Sequence, residues 1–98
     1  MTPSKDQAYF DLIETDQHLV VLVGELDEQW TLLAQTELKK ANVPFTFFPW
    51  SELKEARVAS EWIRFPVLQF WDQGELATEI IGFSQDRYRR FAHAFAKI

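Results

Sequence analysis

Apolar and polar residues follow two rhythms along this chain, and the changes between them mark its elements. Leu19-Val20-Val21-Leu22-Val23 is an unbroken, β-branched-rich run ended by Gly24, the pattern of a strand covered on both faces in a mainly parallel sheet. Ahead of it, Tyr9, Leu12 and Ile13 recur at helical spacing and predict a first helix with one buried face, while Ser4 and Gln7 have the spacing of a capping box at its start. Beyond the strand, Asp27 is placed to cap a second helix with Glu28 in its first turn, where a carboxylate suits the helix dipole. Trp30, Ala34, Leu38 and Ala41 then line one side with Leu33 beside them, and Lys39, Lys40 and a C-cap at Asn42 end the helix.

Val43-Pro44 opens the next extended segment, and Phe45, Thr46, Phe47 and Phe48 form a second strand. A helix between two strands predicts a parallel crossover. Ser51 is placed to cap a third helix in which Leu53, Ala56, Ser60 and Ile63 share a face. The runs Val67 to Trp71 and Leu76 to Ile81 flank Asp72-Gln73-Gly74-Glu75, a short connection that reads as an antiparallel hairpin. Ser84 caps a last helix whose Tyr88, Phe91, Ala92 and Phe95 follow the i, i+3, i+4, i+7 rule. The predicted order is α-β-α-β-α-β-β-α in a single α/β domain spanning residues 1–98.

With 98 residues, 47% hydrophobic and 15% aromatic, the chain has material for one core and no room for two. It has no cysteine, which excludes a disulfide framework, thiolate-bound zinc and any cysteine nucleophile. His18 and His93 stand apart from each other and from any HxxxH pattern, and Gly24, Gly74 and Gly82 are too scattered to build a phosphate cradle, so no metal or cofactor is expected. No apolar run approaches the ~20 residues that span a bilayer, and Lys5, Asp6 and Asp11 stand where a leader would need an apolar stretch. A cytoplasmic protein with no membrane contact is the expectation. The net charge of −5 argues against general affinity for nucleic acid, although Arg87, Arg89, Arg90 and Lys97 against Asp86 alone give the final helix a local excess of +3.

The second half carries a more specific signal. In Ile63-Arg64-Phe65-Pro66-Val67-Leu68-Gln69-Phe70-Trp71-Asp72-Gln73-Gly74-Glu75 an apolar-Pro pair opens a strand that ends in a polar Gly-Glu turn; Gly82 follows Pro66 by sixteen residues, and Ser84 starts a helix just beyond. In this element order the stretch resembles the thioredoxin and glutaredoxin superfamily, and Val43-Pro44-Phe45 with the short interval from Glu28 to Pro66 is closer to glutaredoxin. The resemblance implies a thioredoxin-like three-layer sandwich with a four-stranded mixed sheet, and it implies that Pro66 is the family's cis-proline. It also marks departures. Glu28 and Thr31 stand at the positions of the family's Cys-x-x-Cys pair, and Leu22 stands where the assisting buried acid would be. Without a thiolate there is no nucleophile for disulfide exchange.

What remains is a redox-inactive module for binding a protein or peptide, an adaptor or a chaperone-like accessory rather than an enzyme. In the family, backbone just before the cis-proline pairs with an extended segment of the partner. Carried over, the surface comprises Asp27, Glu28, Trp30, Thr31, Arg64, Phe65, Pro66, Gly82 and Phe83, with Trp30 and Phe65 as aromatic anchors. The same two rings would serve equally as core of an inert scaffold. Two other occupants stay open: a glutathione-type small molecule held by the backbone at Phe65 with Ser84 or Gln85, and nucleic acid or an acidic protein docked on Arg87, Arg90 and Lys97. Exposed aromatics on the second strand, at a sheet edge, leave a homodimer open as well.

Overall fold

The run from Leu19 to Val23 lies within strand β1 (His18–Gly24), and its alternation feeds two cores at once. In the computed structural model, which describes residues 5–14 and 18–97, Val20 and Leu22 point into one hydrophobic cluster and Val21 and Val23 into another, all four buried. The predicted capping box at Ser4 lies outside the described residues. β1 pairs in parallel with β2 (Thr46–Pro49) and antiparallel with β3 (Val67–Asp72), which pairs antiparallel with β4 (Glu75–Ile81), giving the order β2-β1-β3-β4. The sheet is therefore mixed, not mainly parallel, and β1 is covered on both faces because helices lie on both sides. Helices α2 (Gln29–Lys40) and α4 (Gln85–Phe95) cover one face through Ala34, Leu38, Tyr88 and Phe91; α1 (Lys5–Ile13) and α3 (Lys54–Ser60) cover the other through Tyr9 and Ala56. The element order is the one predicted, with a 3₁₀ turn at Trp50–Glu52 added before α3.

The end of α2 and the start of α3 each have an identifiable cause. α2 stops in a Schellman arrangement: Asn42 takes φ 58°, the Val43 N–H donates to the Leu38 carbonyl, the Asn42 N–H donates to that of Lys39, and the two apolar residues meet in the core. α3 starts differently from the expectation. Ser51 falls inside the 3₁₀ turn, the N-cap is Leu53 without a side-chain bond, and the free N–H groups of Glu55 and Ala56 donate to the carboxylate of Asp6 from α1, at 3.3 and 3.1 Å. A cap supplied by another helix has no local sequence signature. The shared face predicted for this helix also ends early, because α3 stops at Ser60 and Ile63 is 86% exposed. At the hairpin, Gln73 and Gly74 take φ 52° and 82°, as a two-residue turn matching strand twist requires. β2 is an edge strand, but Phe45 and Phe47 are half-buried against the core and Phe48 is buried, so the row of exposed aromatics expected there is absent.

One feature of the core is polar. Gln69 is 1% exposed in the middle of β3, where its Oε1 accepts from the Tyr9 hydroxyl at 2.8 Å and the Trp71 indole at 3.0 Å, while its Nε2 donates to Glu79 Oε2 at 2.7 Å. The same Glu79 oxygen accepts from the Trp62 indole at 3.0 Å. Gln69 thus gives α1, β3 and β4 one mutual register, and each group it satisfies would cost about 1–3 kcal/mol if left buried and unpaired.

Burial pushes the Tyr9 phenol up to about 12, against the relief its bond to Gln69 provides, and burial raises Tyr88 as well. Both of the chain's tyrosines therefore ionise less readily folded than unfolded. Their contribution to stability is complete below the ordinary phenol pKa of 10.0 and falls as pH climbs through about 12. An alkaline titration followed in the tyrosinate absorbance band should show no ionisation near pH 10 and a late, cooperative rise that coincides with loss of helical circular dichroism; a phenol titrating near pH 10 in the folded protein would contradict the burial.

Candidate functional site

The loop from β1 into α2 is shaped by a close approach. Thr31 is 0% exposed and lies against Gly24 so tightly that a Cβ at Gly24 would overlap its side chain. One turn earlier, the Glu28 carboxylate caps the helix: Oε1 accepts from the Trp30 N–H at 3.0 Å, and Oε2 accepts from the Thr31 N–H at 2.8 Å and the Thr31 hydroxyl at 3.1 Å. The cap is Glu28 rather than Asp27, one residue later than expected, because the longer side chain reaches both donors. Thr31, Ala34 and Leu38 face the sheet, so Ala34 and Leu38 are buried as expected, while Trp30 at 52%, Leu33 and Ala41 are exposed.

Trp30, left outside, lies across from the segment that enters β3. Its ring stacks on Phe83 at 6.3 Å between centroids, and Phe83 rests on the buried Tyr88 at 5.0 Å. The Phe65–Pro66 peptide is cis, and the Gly82 N–H donates to the Pro66 carbonyl at 2.8 Å, tying the end of β4 to the start of β3. Phe65 is half-buried with its ring edge-on to Trp50 at 5.1 Å, and the Arg57 guanidinium covers the far ring at 5.6 Å. The backbone N–H and carbonyl of Phe65 have no hydrogen-bond partner among the described residues. Gly82, at φ 82°, leaves room for the Arg64 side chain to lie over it.

Between these walls is an open cleft of about 460 Å³. Of the nine positions expected at the surface, Trp30, Arg64, Phe65, Gly82 and Phe83 line it. Thr31 and Pro66 are buried beneath, where they position backbone and touch no partner. Glu28 is committed to the helix cap, and Asp27 is exposed but outside the cleft. Ile81, Ser84 and Arg87 complete the lining although none stood among those nine; Arg87 lies three residues past the Ser84 cap and donates its N–H to Ser84 Oγ at 3.3 Å. First-turn side chains lean back over the helix start, toward this cleft.

Other candidate chemistry is dispersed. His18 bonds Asp72 at 3.1 Å on the surface, His93 is exposed, and no group of three metal-ligating side chains occurs among the described residues. No helix among them is long and apolar enough to cross a membrane. The basic face of α4 is partly neutralised, with Arg90 paired to Asp86 at 2.9 Å and Arg89 to Glu37 at 3.7 Å.

No protein-family model matches the chain, and no curated protein sequence does. Solved structures match its fold. Thioredoxin from Trypanosoma brucei brucei superposes with a TM-score of 0.77 at 11% identity, covering 94% of this chain and 86% of its own. Mitochondrial thioredoxin 3 from Saccharomyces cerevisiae gives 0.70 at 18% identity over 90% and 88%, and oxidised thioredoxin from Plasmodium falciparum 0.72 at 10% over 92% and 91%. The chain has the thioredoxin fold and lacks the cysteines.

Burial pushes the Glu28 carboxyl up, but the Trp30 and Thr31 N–H groups with the Thr31 hydroxyl outweigh it and hold the group below its ordinary value of 4.5. A pKa lowered on folding stabilises above the unfolded value and is lost as pH falls. Glu28→Ala should therefore cost about 1 kcal/mol in urea unfolding at neutral pH. Its difference from wild type should narrow as pH drops below 4.5, and a difference independent of pH would contradict the cap.

Proposed function

We propose that this thioredoxin-fold chain is a redox-inactive binding module, an adaptor or chaperone-like accessory that holds an extended segment of a partner protein in the cleft between Trp30 and Phe65. The observation that carries the reading is the pairing, across one open groove, of a half-exposed tryptophan with a backbone edge that has no hydrogen-bond partner within the described chain. The exposed ring is unfavourable in an inert scaffold, and the Phe65 backbone groups at the open cleft remain available to a partner's main chain. A large ring left in water forgoes burial worth roughly 25 cal/mol per Å². An extended peptide answers both: its main chain pairs with Phe65 and its side chains cover Trp30 and Phe83.

The chemistry of the groove fits binding rather than turnover. Glu28 and Thr31, at the positions the resemblance gives to the two cysteines, are hydrogen-bonded to each other, and neither is presented to a ligand. The aromatic pair has the character of an interface anchor, backed by Tyr88 and not free to collapse.

In disulfide reduction driven by dithiothreitol, the chain should leave the rate at that of the reagent alone; acceleration would contradict redox inactivity. Alanine at Trp30 or Phe83 should weaken binding of an extended segment at least about tenfold, as expected of an aromatic anchor worth about 2 kcal/mol, with little change in melting temperature for the half-exposed Trp30. Unchanged affinity would move the site elsewhere.

A further inference from the structure

We infer that the cleft selects segments carrying an acidic side chain, with Arg64 and Arg87 as the groups that recognise it; this rests on the reading of the cleft as a docking groove and adds the chemistry of its occupant. The lining of the cleft contains two arginines and no aspartate or glutamate. Neither arginine has an ion-pair partner among the described residues, whereas Arg89 and Arg90 on the same helix are both paired. Asp86, next to Arg87, pairs with Arg90, and Glu28 caps α2. Two unneutralised guanidiniums thus share one groove on a chain whose net charge is −5.

That arrangement discriminates in two directions. A guanidinium offers a planar fork that matches a carboxylate with paired, charge-assisted hydrogen bonds, roughly twice as strong as neutral ones. Like-charge juxtaposition in the groove works against a lysine or arginine at the same place in the partner. The chain's net charge of −5 disfavours general association with an anionic segment, so complementarity fixes where along the partner the groove engages. Arg64 enters from the segment before β3 and Arg87 from the first turn of α4, so the two reach the occupant from different elements while Trp30 and Phe83 supply apolar contact.

Selection from a displayed library of random dodecapeptides tests this. The wild-type chain should enrich peptides that combine apolar residues with aspartate or glutamate, and replacing that acid by its amide in a selected peptide should weaken binding about tenfold, an effect that shrinks with added salt. With Arg64→Gln and Arg87→Gln together, apolar enrichment should persist and the acidic preference vanish. Enrichment of apolar peptides without acidic bias, or with lysine and arginine, would overturn the charge inference and leave the docking groove standing. No enrichment at all would overturn both. If glutathione alone displaces the selected peptides at micromolar concentration, the arginines serve a small anion and the inference also fails.

Discussion

The contact of Thr31 with Gly24 sets the orientation of everything at the functional end of the molecule. In a helix with 3.6 residues per turn, neighbours point about 100° apart, so seating Thr31, Ala34 and Leu38 on the sheet sends Trp30 outward. Gly24 permits the approach because it has no Cβ, and the Glu28 carboxylate holds it by taking both the amide and the hydroxyl of Thr31. In the resemblance, Glu28 and Thr31 are the positions at which redox members carry their sulfurs. In this chain the Glu28 carboxylate and Thr31 form a hydrogen-bonded clamp there.

Stability and site are supported by separate parts of the fold. The Gln69 network with Tyr9, Trp62, Trp71 and Glu79 belongs to the α1–α3 side of the sheet, where it ties α1 and the segment after α3 to two strands and leaves the cleft untouched. The cleft draws on the ends of elements: the first turn of α2, the segment entering β3, the last residues of β4 and the first turn of α4. Such ends can change residue type at little cost to the core, which is how one scaffold comes to carry unrelated surfaces. Arg64, lying over Gly82, and Arg87 stand at such ends.

Much of the fold was legible because local signals agreed. The β-branched run of β1, the Gly74 turn, the Asn42 stop and the Ser84 cap each predict their element independently, and their order is the observed one. The misses arise where a distant residue decides. Asp6 caps α3 from another helix, Gln69 is buried because three side chains from elsewhere satisfy it, and helix rotation at Trp30 follows from a contact with Gly24 that spacing does not encode. At the site, Trp30, Arg64, Phe65, Gly82 and Phe83 were readable through the resemblance, whereas burial of Thr31 and Pro66 and the engagement of Glu28 required three dimensions.

Amide hydrogen exchange at Phe65 bears most directly on the central claim that an unpaired backbone edge in this groove receives an extended partner. In the free protein this amide should exchange far faster than those of Val67 to Phe70 in the adjoining strand, and a peptide seated in the groove should protect it while leaving the amides of α1 unaffected. Strong protection in the free protein, or exchange at Phe65 that stays unchanged when a bound peptide shifts the resonances of Trp30 and Phe83, would contradict it.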